Sequence, residues 1–230
     1  MKINIAEFEE GARLVSGLTV IIDVFRAFSV ACYASDAGAS TLIVTGNLDE
    51  AFALKKKYRN SLLAGERGER KPEGFDIGNS PTEVLTAGVR GKTFIHTTTA
   101  GTKGLLSANG APVVLTGSIV NAGAVAKHIA KLNPDTVTLV AMGYRGCESA
   151  EEDLLCADII ADRLNGGSQD FSEKITDLRM TSGQRFFNPE NIEFSPPSDF
   201  FLCTITDRFN FVLQAIKRHD GNIELIRIDP

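Results

Sequence analysis

Five short stretches of the 230-residue chain carry side chains suited to holding an oxyanion or a hard cation. Asp23-Val24-Phe25-Arg26 closes a β-rich apolar run. A carboxylate there is poorly solvated unless it binds a cation or accepts hydrogen bonds, and Asp is also a favoured helix N-cap; the two roles are compatible. Arg26 offers a planar fork that can grip phosphate or sulfonate through two parallel bonds, or pair with a surface carboxylate. Gly65-Glu66-Arg67-Gly68 repeats the pairing of carboxylate and guanidinium. Thr97-Thr98-Thr99-Ala100-Gly101-Thr102 sets hydroxyls and a Gly just ahead of a helix, a composition that suits an oxyanion held on backbone N–H groups, although a plain strand end has the same look. Gly117-Ser118 and Gly143-Tyr144-Arg145-Gly146 complete the set. Glu151, Glu152 and Asp153 open a helix, where negative charge complements the dipole without any ligand. Turned towards the other stretches, Glu152 or Asp153 would join Asp23 and Glu66 as oxygen ligands of Mg²⁺, an ion held by one or two carboxylates plus waters and substrate oxygens.

The elements that must position these residues follow from the apolar pattern. Strands are predicted at Leu18–Ile22, Thr41–Thr45, Ser61–Ala64, Lys92–His96, Pro112–Thr116 and Thr136–Met142, with helices at 25–39, 48–58, 102–108, 118–132 and 151–164 between or after them. Ser80-Pro81-Thr82-Glu83 has the form of a capping box and starts a helix to about Gly88. The loop from Gly65 to Gly78 is long, polar and Gly-rich, which points to function. Strand and helix in alternation predict an α/β fold, a three-layer α/β/α domain over 1–230 with a largely parallel or mixed central sheet. Phe209–Ile216 and Ile223–Ile228 flank Asp220-Gly221-Asn222, which predicts a C-terminal β-hairpin on one edge. Residues 165–200 carry no clear pattern. In parallel α/β sheets ligands sit beyond the carboxyl ends of the strands, so the five stretches are expected to meet at one rim.

Composition narrows the function classes. Apolar residues at 43% and charged residues at 23% are those of a globular chain rather than a disordered tail. The net charge of −5, with no basic stripe, argues against a general nucleic-acid binder. Cys32, Cys147, Cys156 and Cys203 lack metal-site spacing and read as reduced thiols, and no stretch has the length to cross a bilayer or the form of a signal peptide, so a cytoplasmic location is expected. Neither GxxxxGK[ST] nor a strand-linked GxGxxG occurs, so ATP and dinucleotide sites lack their usual signals. His96, His128 and His219 are too dispersed for a zinc triad; His96 alone reaches the expected rim, where a general acid/base role would fall to it. The Asp-x-Asp pair of haloacid-dehalogenase-type phosphatases is absent.

Read together, Asp23 to Ala27 (DVFRA), Gly65 to Arg67 (GER), Gly74 to Glu83 (GFDIGNSPTE), Thr97 to Thr102 (TTTAGT) and Ser118 with Asn121 resemble the 2-phosphosulfolactate phosphatase family, the ComB-like proteins, over about Thr19 to Leu164. Ala100 stands where that family usually has Asn, and Phe25, Phe28 and Ser29 stand where Leu and Thr are common. The resemblance implies an α/β/α fold and a Mg²⁺-dependent phosphatase releasing phosphate from 2-phosphosulfolactate, a step towards coenzyme M in methanogens.

Resemblance and rim point to the same residues. Asp23, Arg26 and Asp76 are the expected catalytic groups. Arg67, Asn79, Ser80, Thr97, Thr98, Thr99, Gly101, Thr102, Ser118 and Asn121 are expected to bind substrate, and Asp23, Glu66, Glu152 and Asp153 to hold Mg²⁺. The expected partner is a small anionic phosphorylated substrate, not nucleic acid or membrane, with a homo-oligomer left open. Two readings compete with 2-phosphosulfolactate hydrolysis: a phosphatase acting on another phosphorylated acid, and a non-catalytic module binding an anionic metabolite. A structural α/β subunit whose polar tips are solvated turns is a third.

Overall fold

The computed structural model describes residues 1–230. Along the chain run β1 (Lys2–Glu7), α1 (Phe8–Arg13), β2 (Leu18–Ile22), α2 (Ala27–Asp36), β3 (Thr41–Val44), α3 (Leu48–Lys57), β4 (Ser61–Gly65), α4 (Pro81–Thr86) and β5 (Thr93–Thr97). They are followed by α5 (Gly101–Ser107), β6 (Val113–Gly117), α6 (Ala122–Leu132), β7 (Thr136–Ala141), α7 (Glu151–Leu164), α8 (Ser172–Asp177), α9 (Pro197–Thr204), β8 (Val212–Lys217) and β9 (Ile223–Ile228). This is the expected α/β class. All six anticipated strands are present; β1, which pairs in parallel with β7 at one edge, was not anticipated. No helix is long and apolar enough to cross a membrane.

The nine strands form one mixed sheet in the order β1-β7-β2-β6-β8-β9-β3-β5-β4. The hairpin β8–β9 therefore lies in the middle and not on an edge, a correction to the sequence expectation. It joins antiparallel to β6 on one side and to β3 on the other, welding two parallel groups of strands together. The last residues of β8, Ile216 and Lys217, are exposed and look edge-like in sequence, while Val212 and Leu213 are fully buried.

Three antiparallel steps in succession, from β6 to β3, make the two parallel groups run in opposite directions. Carboxyl ends from both groups nevertheless border one pocket, and α2 shares an apolar cluster with strands of both. Every residue of α2 from Ala27 to Ser35 is buried, and several are small: Ala27, Ser29, Ala31 and Ala34. A helix so thin can lie inside the concave face of a strongly twisted sheet, and strands turn about 20–25° per step. One apolar cluster combines α2 with residues of β2, β3, β4, β5, β8 and β9, including Ile21, Val44, Leu62, Phe94, Leu213 and Leu225. The second packs α6 and α7 on the opposite face through Val20, Ile22, Val125, Ile129 and Ile160. The alternation of Val20, Ile21 and Ile22 between the two clusters is the period of a strand buried on both faces.

The α4 start forms only half of its expected capping box. Ser80 Oγ accepts from Glu83 N at 3.3 Å, but the Glu83 carboxylate turns back to accept from Gly78 N at 3.1 Å. That bond fixes the loop leading into the helix and, with it, Asn79.

Candidate active site

The carboxyl ends of β2, β4, β5 and β7 border a pocket of about 50 Å³, room for one tetrahedral oxyanion or a cation with its waters. Asp23 and Arg26 come from the end of β2, Glu66 and Glu69 from the end of β4, Thr98 and Thr99 from the end of β5, and Tyr144 and Arg145 from the end of β7. Asn79 joins them from the start of α4, and Arg185 from the segment before α9.

Several amides of the threonine turn are already engaged within the protein. Gly101 N donates to Asp23 Oδ2 at 2.9 Å, Thr99 N to Glu66 Oε1 at 2.6 Å, and Thr98 N to Thr102 Oγ1 at 2.9 Å. Two amides of the expected oxyanion cradle, those of Gly101 and Thr99, are thus taken by carboxylates of the protein itself. Asp23 Oδ1 also accepts from Ala27 N at 3.0 Å, so the helix-start role and the pocket role coexist in one side chain. Glu66 Oε2 accepts from Glu69 N and from the Thr99 hydroxyl, at 3.0 and 3.1 Å. Asp153 stands behind this wall, taking Val24 N at 2.7 Å and Gly143 N at 2.9 Å, and so ties the ends of β2 and β7 together.

Crowding of carboxylates has an electrostatic consequence. Burial, with the charges of Glu66 and Glu152 nearby, pushes Asp23 up to about 6 against an ordinary 3.8. Burial and the charges of Glu152 and Asp23 raise Asp153 as well. No three His, Cys, Asp or Glu side chains form a metal cage on their own. Asp23 and Glu66 nevertheless fit a Mg²⁺ ion, which takes one or two carboxylates and fills its octahedron with water and substrate oxygens. Both Asp23 oxygens and Glu66 Oε1 retain a lone pair beyond the backbone N–H each accepts, whereas Glu66 Oε2 already accepts two bonds.

Arg26 is the buried cation of the pocket. Its Nη1 donates to Asp199 Oδ2 at 2.6 Å and to the Phe194 carbonyl at 2.7 Å, and the two charged side chains are 3% and 0% exposed. Arg145 is exposed beside Tyr144, over whose ring its guanidinium lies at 4.9 Å.

Several anticipated residues are placed elsewhere. Asp76 accepts from Leu63 N at 2.7 Å and pairs with Lys55, pinning the Gly74–Asn79 loop to β4 outside the pocket. Arg67 lies behind the threonine turn, donating to Thr97 Oγ1 at 2.8 Å and to the Glu66 carbonyl at 2.7 Å. Thr97 and Thr102 are buried, and the Thr102 hydroxyl closes the turn on Thr98 N. Ser80 donates to Asp199 at 2.8 Å. Ser118 bonds Ser29, and Asn121 bonds Ser118 N and the Phe211 carbonyl; both are fully buried. His96 is buried with Nε2 3.0 Å from Asn79 Oδ1, and burial pushes it down to about 3, so it is a neutral hydrogen-bond partner and not a proton shuttle. Glu152 lies on the wall of a different cleft. Conversely, nothing in the sequence flags Arg185 or Asp199: Arg185 sits in a four-residue 3-10 turn and Asp199 in the first turn of the eight-residue α9, both too short to give a clear period. Glu69 lies in the loop whose length did signal function.

The family described as "2-phosphosulpholactate phosphatase" matches residues 5–193. A protein of Carboxydothermus hydrogenoformans named "Probable 2-phosphosulfolactate phosphatase" is 44% identical over 140 residues, 60% of this chain and 58% of that protein. One of the same name from Caldanaerobacter subterraneus subsp. tengcongensis is 42% identical over 147 residues, 63% of this chain and 60% of its own length. Another, from Clostridium beijerinckii, is 36% identical over 173 residues, 74% of this chain and 71% of its own. The matched stretch thus spans about three fifths of the first two relatives. With the family match running over most of its length, the chain belongs to the 2-phosphosulpholactate phosphatase family.

Proposed function

We propose that this chain is a phosphoric monoester hydrolase that takes a small acidic phosphomonoester, with 2-phosphosulfolactate hydrolysed to 3-sulfolactate and phosphate, and that it works with Mg²⁺. One observation carries the reading: Asp23 and Glu66 occupy the amides that would otherwise cradle the phosphoryl group. A phosphoryl oxyanion entering that pocket meets two carboxylates, and their repulsion is relieved by a cation set between them. Asp23 and Glu66 would hold Mg²⁺, which when bound supplies positive charge to the phosphoryl oxygens as a Lewis acid.

The chain's own residues do the rest. The amides of Ala27 and Gly101 fix the Asp23 carboxylate, and those of Thr99 and Glu69 fix Glu66, so neither needs to reorganise during the reaction. Arg26, locked by Asp199, turns its remaining guanidinium edge to the pocket and neutralises phosphoryl charge, and Arg145 adds a second cation at the mouth. Phosphate monoesters hydrolyse extremely slowly unaided, so both charge neutralisation and fixed geometry are required. The alternative of a binding module for an anionic metabolite has no need of paired buried carboxylates in the anion's path.

The test is phosphate release from 2-phosphosulfolactate and from p-nitrophenyl phosphate, before and after EDTA and with Mg²⁺ added back. We expect EDTA to abolish turnover, Mg²⁺ to restore it, and Asp23→Asn to cost about 10²-fold or more, the scale of one lost preorganised electrostatic contact. Undiminished turnover in EDTA, or in Asp23→Asn, would remove the metal and the site assignment respectively.

A further inference from the structure

Asn79 lines the small pocket with one end of its side chain already engaged. The chain leading to it is fixed: Asp76 N and Ile77 N both donate to the Leu63 carbonyl at 3.1 Å, and Gly78 N donates to Glu83 Oε2 at 3.1 Å. Asn79 itself is 6% exposed, and its Oδ1 lies 3.0 Å from His96 Nε2. The other end of the amide, Nδ2, has no acceptor in the protein, nor is it among the polar atoms sealed from solvent without a partner. An amide that is otherwise buried and lines this pocket therefore keeps one open donor, and the pocket is the space into which it can donate.

The two ends of an Asn amide have nearly the same shape and opposite hydrogen-bonding character, so packing alone does not choose between them. A half-turn of the amide would set a carbonyl oxygen against an incoming phosphoryl oxygen, in a pocket that already holds the Asp23 and Glu66 carboxylates. The imidazole behind Asn79 makes the choice. His96 lies in β5 between Val44 of β3 and Ala64 of β4, is 3% exposed, and has the Phe94 ring centroid 5.7 Å from its own. Buried there with the Arg67 charge nearby, it stays neutral and has a single N–H, and the carbonyl oxygen facing Nε2 assigns that proton to Nε2. The opposite tautomer would make Nε2 an acceptor, draw Nδ2 to the ring and turn the amide oxygen to the pocket.

Resting on the phosphatase reading above, we propose that His96 is a positioning residue for the reaction: its Nε2–H holds the Asn79 amide so that Nδ2 donates to a phosphoryl oxygen in the small pocket. Asn79 then adds a neutral donor to the charges of Arg26 and Arg145. A donor oriented in advance needs no reorganisation as charge shifts on the phosphoryl oxygens, so its effect falls on kcat more than on KM.

Turnover of 2-phosphosulfolactate and p-nitrophenyl phosphate by a set of variants tests this. Asn79→Ala, which loses the donor, should lower kcat by about 10–100-fold, the scale of a hydrogen bond to a charged group. His96→Met, of similar length but without an N–H, frees the amide to turn and should lower kcat by about 5–20-fold with KM within about threefold. His96→Gln, which can still donate to Oδ1, should lose less than His96→Met. The deciding measurement is the double variant: Asn79→Ala with His96→Met should stay within about twofold of Asn79→Ala alone, because His96 acts only through Asn79. Losses that multiply in the double variant, or a kcat for His96→Met within about twofold of wild type, overturn the proposal, since a histidine that merely fills the core acts independently of Asn79. If His96→Met does not fold, ¹⁵N NMR of the histidine-labelled wild-type protein at neutral pH decides, with the His96 signal identified by its loss in His96→Gln. A protonated Nε2 with a bare Nδ1 upholds the proposal, and a protonated Nδ1 overturns it. Should the wild-type protein hydrolyse neither ester, the phosphatase reading falls by itself, and calorimetric titration with inorganic phosphate in the presence of Mg²⁺ judges the donor. Phosphate binding weakened about fivefold or more in both Asn79→Ala and His96→Met upholds it. Binding that neither variant weakens, or that is absent from the wild-type protein, overturns it.

Discussion

Asp199 is fully buried and has three donors around it: Arg26 Nη1 at 2.6 Å, Ser80 Oγ at 2.8 Å and Thr82 N at 3.0 Å. Replacing it with Asn keeps the size and one acceptor but removes the charge that balances Arg26. Breaking a buried pair by neutralising one partner costs about 3–5 kcal/mol, because the other charge is left without compensation. The retained acceptor puts Asp199→Asn near the lower end, about 3 kcal/mol. For a chain of this size each kcal/mol moves Tm by about 2–4 °C, so the melting midpoint should fall by about 6–12 °C. Arg26→Met should cost less, since Asp199 would keep Ser80 and Thr82. The double variant should lose less than the sum of the two, by a coupling of about 1–3 kcal/mol. Thermal and urea unfolding followed by circular dichroism measure all three, and phosphate release at 25 °C, below every midpoint, reads the effect on the pocket. A loss under about 1 kcal/mol for Asp199→Asn, with no coupling to Arg26, would mean that this pair is not what holds the guanidinium in place, and the account of Arg26 would fall with it.

Two more outcomes follow from the geometry behind the pocket. His96 is pushed down to about 3 in the folded protein against an ordinary 6.5, so its contribution to stability is full above 6.5 and is lost as pH falls towards 3. Between pH 7 and pH 5 that loss is about 2 kcal/mol; the raised carboxyls Asp23 and Asp153 act in the opposite sense, so the comparison must be between variants. The urea midpoint of His96→Gln should therefore gain on that of the wild-type protein as pH drops from 7 to 5, and a gap that stays constant would refute the buried neutral imidazole. Gly65 ends β4 at φ 147°, and a Cβ there would lie 2.0 Å from the Thr97 carbonyl oxygen. Gly65→Ala should cost about 2–5 kcal/mol and lower phosphatase turnover, since the clash pushes apart the strand ends that deliver Glu66 and Thr99; a melting midpoint within about 2 °C of wild type would show that the strand ends can yield.

Sequence pattern fared differently on the two halves of the fold problem. Each strand from β2 to β7 is an apolar run closed by a polar or Gly residue, and that local signal survives because both faces of the sheet are buried. Strand order is not local. The hairpin β8–β9 was readable as a hairpin from Asp220-Gly221-Asn222, yet its insertion between β6 and β3 depends on pairings with residues about 100 to 180 positions away. Its half-exposed tip resembles an edge strand in sequence even though its base is core. The strand β1 escaped notice because its residues are only partly buried, so its apolar pattern is weak.

The site shows a related split, and its cause is chemical. Carboxylates and threonines at strand ends identified the pocket, since a convergent rim gathers the residues that follow each strand. What they could not convey is who bonds to whom: an amide-rich turn and a free carboxylate look like separate binding devices until the fold satisfies one with the other, as Asp23 does for Gly101 and Glu66 for Thr99. That pairing sets negative charge where an anion cradle was expected, and in the proposed reaction it would leave the holding of an anionic substrate to guanidinium groups and a cation. Two of the residues that bear on this, Asp199 behind Arg26 and Arg185 beside the pocket, come from a short helix and a 3-10 turn that leave no clear period in the sequence. Their positions rest on long-range contacts, Asp199 with Arg26, Ser80 and Thr82 and Arg185 with Glu69 and the Phe25 carbonyl, and such contacts leave no trace in local composition. The carboxylate wall is therefore a product of strand geometry, as are Arg26 and Arg145, whereas Arg185 and the Asp199 that anchors Arg26 are supplied by a turn and a short helix outside the sheet.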